Sequence, residues 1–123
     1  MSRPLGFLPA DRALMALLRA LAPHLGRHRL IASTSRDWAS ATFEGARHRL
    51  ALVLEGEDAA ARAGGLQATL GETDLPIPGG FVADIGVVAL LTDGEPAVGI
   101  EALTIVEAPP PDVALSRAAR RAG

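Results

Sequence analysis

Apolar and polar residues alternate with two different periods along this chain, and each change of period marks an element. Leu14, Leu17, Leu18 and Leu21 recur every three or four residues and lay one apolar stripe along a helix. Asp11 is placed to cap its start and Pro23 to close it. Ahead of it, Pro4 and Pro9 make residues 1–10 an N-terminal arm. A connection through Gly26 follows, and Leu30–Ala32 begins extended structure.

Between Asp37 and Leu54 the period drops to two. A two-residue turn at Gly45-Ala46 sets Glu44 opposite Arg47, then Phe43 opposite His48, Ala41 opposite Leu50 and Ala39 opposite Leu52. The other face receives Thr42 with Arg49, Ser40 with Ala51 and Trp38 with Val53. This register is expected because it gathers an apolar face, a charge pair and an aromatic–β-branched pair at once.

Helical propensity returns at Glu57, where the acids suit the positive end of the helix dipole. Ala59, Ala63, Leu66 and Leu70 share a stripe, so the second helix is expected to run through Gly64-Gly65 to about Leu70. Pro76, Pro78, Gly79 and Gly80 form a loop. Phe81–Thr92 and Ala97–Glu107 then make a hairpin around Asp93-Gly94, a dipeptide suited to a type I′ turn. Its register sets Leu91, Ala89, Val87 and Ile85 against Pro96, Val98, Ile100 and Ala102. Pro96 suggests an edge or bulge, and the phase change to Leu103 and Ile105 predicts a bulge near Ala102.

The expected fold is therefore α+β, in the order α-β-β-α-β-β, with one four-stranded antiparallel sheet and helices on one face. Residues 11–108 form the single domain, and 109–123 a Pro-rich, then basic, C-terminal tail. The second sheet face keeps Trp38, Val53, Val88 and Leu90, which makes them the expected interface with another copy, most simply in a homodimer. No internal sequence repeat of useful length exists. Arg-His-Arg-Leu occurs at 27–30 and at 47–50, but the flanking residues differ.

Composition sharpens this picture. A chain of 123 residues supports one core without staples, and with 49% apolar residues but only three Phe and one Trp that core is aliphatic. A mean hydropathy of +0.25 is high for a small soluble monomer and again suggests a covered patch. No Cys is present, which fits a reducing, cytoplasmic setting. Lys, Asn and Tyr are also missing, as expected of a GC-rich bacterial genome. No run is long enough to cross a membrane, and Asp11, Arg12 and Arg19 interrupt the only stretch resembling a secretion signal.

Charge is sorted by segment. Residues 1–49 hold eight Arg against three acids, whereas 50–112 hold eleven acids against Arg62 alone. Arg117, Arg120 and Arg121 follow, and the net charge is -2. A surface with separated signs steers a partner or docks a second copy. The basic half, in which Trp38 could stack a base, offers a polyanion or nucleic-acid surface, but a pI near 5.9 argues against that use.

Chemistry-bearing residues are few. His24 and His28 have the i, i+4 spacing of a metal pair, yet Pro23 and Gly26 interrupt a helix there, and no metal or other cofactor is expected. No nucleophile motif or phosphate-binding loop occurs, so no catalytic set is identified. Asp84 and Glu101 lie inside apolar strands on one face near Gly86 and Gly99, where small residues leave a groove. With Arg47 and Arg49 they are the candidate ligand-binding residues, the ligand itself being unspecified. The leading expectation is a non-enzymatic interaction or accessory module that self-associates through a sheet face. The alternatives are a small ligand-binding protein or enzyme using that groove, and polyanion binding by the basic half.

Overall fold

A computed structural model describes residues 9–106 of the chain. They form α1 (Pro9–Leu25), β1 (His28–Ala39), β2 (Glu44–Leu54), α2 (Ala59–Gly71), β3 (Gly80–Thr92) and β4 (Glu95–Val106). This is the α-β-β-α-β-β order that the periodicities predict. The arm up to residue 8 and the tail 109–123 lie outside the described residues, and α1 takes up the last two positions assigned to the arm.

The apolar stripe of α1 forms as expected, with Leu17, Leu21 and Leu25 fully buried. Its end differs from expectation. Pro23 sits inside the last turn on the exposed side, and the helix stops at Gly26, whose φ of 69° is the left-handed conformation that closes helices. In α2 the longer helix is realised: Ala59, Ala63, Leu66 and Leu70 are its buried residues, and Gly64-Gly65 lie on its solvent side. Both helices pack on one sheet face, against Leu50, Leu52 and Leu54 of β2 and Val98, Ile100 and Ala102 of β4. Each large side chain so buried contributes roughly 1.5–3 kcal/mol.

All neighbours in the sheet are antiparallel, in the order β1-β2-β4-β3. The first hairpin departs from the expected register. Its loop is 40–43, and Arg36, Trp38 and Ala39 pair with Arg47, Gly45 and Glu44. The expected Glu44–Arg47 and Trp38–Val53 pairs are therefore not formed. Two local forces decide this. Ser40 closes the loop, its Oγ accepting from the Phe43 amide at 3.1 Å while its own amide donates to the Phe43 carbonyl at 2.8 Å. Gly45 is needed within the strand, because a Cβ there would lie 1.9 Å from the Thr104 carbonyl oxygen of β4.

The second hairpin adopts its expected register, turning at Asp93 and Gly94 with φ of 52° and 80°. Its bulge is on β3, between Val82 and Asp84, rather than near Ala102. β4 alternates regularly instead: Ala102 and Thr104 face the helices, and Leu103 and Ile105 take the opposite face. Pro96 belongs to a central strand, but the β2 pairing starts at Ala97, so its missing N–H forfeits no bond to β2.

An αββ unit occurs twice although the sequence shows no repeat. A constant shift of 52 residues carries the pair His28–Leu54 onto Gly80–Val106 and Ala39–Glu44 onto Leu91–Pro96. The same shift carries the β1 bulge at Ile31 onto the β3 bulge at Ala83. It also relates Arg49 to Glu101, which are direct partners across β2 and β4, so the pseudo-two-fold axis passes between them.

Candidate functional site

Strand registers place the residues of the face away from the helices in cross-strand rows, each read from β1 through β2 and β4 to β3. At one end stand Trp38, Gly45, Ile105 and Phe81, and then Arg36, Arg47, Leu103 and Asp84. The middle row is Thr34, Arg49, Glu101 and Gly86. Beyond it lie Ala32, Ala51, Gly99 and Val88, and last Arg29, Val53, Ala97 and Leu90.

All four candidate ligand-binding residues reach one place. Arg47, Arg49, Asp84 and Glu101 line a hollow of about 580 Å³, together with Thr34, Arg36, Gly86 and Leu103. Missing side chains at Gly86 help to open it. Arg49 and Glu101 form an exposed ion pair at 3.1 Å on the pseudo-two-fold axis. Arg36 and Arg47 stand directly opposite one another, and neither they nor Asp84 form an ion pair among the described residues. Like charges paired across strands oppose folding, so this arrangement costs stability in the isolated chain. Arg36 and Thr34 join the four only in the fold, because the expected turn leaves both outside the first hairpin.

The four expected interface residues also share this face, at its two ends. Trp38 is half-buried beside Gly45, while Val88 is 61% and Leu90 44% exposed. Val53, only 1% exposed, is already covered; Arg29 crosses β2 there to reach Glu95 at 3.2 Å and Glu55 at 3.8 Å. Phe81, 39% exposed, adds an aromatic that the sequence pattern assigns only to a strand start.

Behind the hollow, on the helix side, a polar chain crosses three strands. Ser35 Oγ lies 2.7 Å from His48 Nδ1, His48 Nε2 lies 2.9 Å from Thr104 Oγ1, and Thr104 donates to the Ala46 carbonyl at 3.4 Å. Both ring nitrogens of His48 thus have hydroxyl partners, and the neutral ring donates through one and accepts at the other. Burial lowers the pKa of His48 and favours this neutral form. The chain contains no carboxylate to stabilise an imidazolium, and Ser35 is spent on the histidine, so its chemistry is that of a satisfied core network. His24 is in the last turn of α1, and His28 opens β1 with Nδ1 2.7 Å from the Gly26 carbonyl. No group of three or more His, Asp or Glu side chains suited to a metal ion occurs among the described residues. No helix there is long and apolar enough to cross a membrane.

Compared with protein-family models, with curated proteins and with solved structures, the chain finds no match in any of the three.

Proposed function

We propose that this chain is a non-catalytic interaction module that works by self-association through the sheet face away from its helices. The observation that carries the reading is the face itself: Val88, Leu90 and Phe81 stand exposed around a centre where Arg36, Arg47 and Asp84 lack ionic partners among the described residues. Apolar ends favour a partner that excludes water. The split between basic β1–β2 and acidic β3–β4 favours one carrying the same split, which a second copy does. Light scattering behind size-exclusion chromatography tests it. At about 100 µM the particle should have twice the chain mass of 12.7 kDa; a strict monomer removes the proposal.

A second reading is favoured by the hollow. Arg36, Arg47 and Arg49 on one wall and Asp84 and Glu101 on the other suit a small ligand bearing an anionic group. It predicts that phosphate or a small carboxylic acid raises the melting temperature, and that Arg47→Ala abolishes the rise. No response to either anion counts against it. Polyanion binding by the basic half has less support, since Arg29 and Arg49 are already engaged by Glu95, Glu55 and Glu101. Detectable, steeply salt-dependent binding of DNA or RNA would restore it.

A further inference from the structure

We infer that the second copy stacks face to face about a two-fold axis parallel to the strands, with Arg36 of each protomer over the partner's Asp84. The inference rests on the self-association reading above and specifies its geometry. A symmetric pair of stacked sheets has its axis in the plane between them, running either across the strands or along them. The charge pattern separates these two solutions.

An axis across the strands lays each strand over its own counterpart. Arg49 then meets the partner's Arg49, Glu101 meets the partner's Glu101, and Asp84 is left facing the partner's Val88. Both central contacts are repulsive. An axis along the strands lays β1 over β3 and β2 over β4, because these are the outer and inner pairs of the order β1-β2-β4-β3. Rows stay level, so Arg36 meets the partner's Asp84, two ion pairs by symmetry, and Arg47 lies beside them over the partner's Leu103. The Arg49–Glu101 pair meets its reversed copy and closes a four-membered network of alternating sign. Trp38 falls opposite the partner's Phe81, and Ala32 makes room for the partner's Val88. Aligned sheets pack about 10 Å apart and rotated by about 30°, which leaves the central rows facing one another.

The size of the face sets the strength to expect. Four strands about 4.8 Å apart and roughly ten residues long present about 600 Å² per protomer, at the low end of stable interfaces. A dissociation constant in the micromolar range follows, and sedimentation or light scattering at tens to hundreds of micromolar reads it.

The test is charge complementation in the full chain. Arg36→Asp alone and Asp84→Arg alone each place like charges at both contacts, and each should raise the dissociation constant by about 10- to 100-fold. Mixed together, the two variants should recover a heterodimer near wild-type affinity, because every altered contact is again of opposite sign. Both side chains are exposed, so the variants should keep the wild-type circular dichroism; if either does not, Arg36→Gln removes both ion pairs of its homodimer without a new charge and should weaken it in the same direction by a smaller factor. Dimers that ignore the single changes, or variants that do not recover on mixing, overturn the stacking while leaving self-association intact through another surface. A monomeric wild type overturns both, and the face then belongs to a different protein or to residues of this chain outside 9–106.

Discussion

A methyl group at residue 45 would lie 1.9 Å from the Thr104 carbonyl oxygen, and that oxygen belongs to the backbone of the central strand pair. Gly45→Ala must therefore displace β2 from β4, and chemical denaturation should show a loss of about 1–3 kcal/mol or more. The demand was illegible beforehand, because a Gly between two alternating runs reads equally well as a turn. His48 is a second residue whose role depends on its surroundings. Burial lowers its pKa from the usual 6.5, so the unfolded chain binds its proton at a higher pH than the folded one. Its contribution is complete above about pH 6.5 and is lost as pH falls toward the folded value. Urea midpoints should accordingly drop between pH 7.5 and pH 5, and part of that slope should vanish in His48→Gln.

At the scale of elements, Arg62 joins pieces that are distant in sequence. Its guanidinium donates to the Leu25 carbonyl at the end of α1 at 3.1 Å and to the Arg27 carbonyl at 2.9 Å, and it pairs with Asp58 one turn earlier. The carbonyls at the end of a helix lack internal donors, so a cation there both bonds them and complements the dipole. Arg62→Ala should cost roughly 1.5–3 kcal/mol, with a lower melting temperature as the readout, whereas removing the exposed Arg49–Glu101 pair should change stability little. Helix stripes and the Asp93-Gly94 turn were legible because each is encoded within a few residues. The first hairpin was not: its alternating pattern supports two registers, and the choice was made by the Ser40 loop and by the approach of β4.

At the scale of the molecule, the self-association proposed above makes the separated charges testable. If opposite signs meet across the interface, raising NaCl from about 50 to 500 mM should shift the dimer toward monomer, since exposed pairs are screened beyond a Debye length of about 10 Å at 0.1 M. A dimer strengthened by salt would instead point to the apolar ends of the face alone. Local periodicity and turn chemistry suffice for the α-β-β-α-β-β order, the helical stripes, the register of the second hairpin and the grouping of Asp84 with Glu101. The β1-β2-β4-β3 order, the repeat of the αββ unit and the arrival of Arg36 and Thr34 beside the four expected residues emerge only in the folded chain. Those features come from pairings across tens of residues, where backbone approach at Gly45 and burial shared between β2 and β4 outweigh any pattern within a single strand.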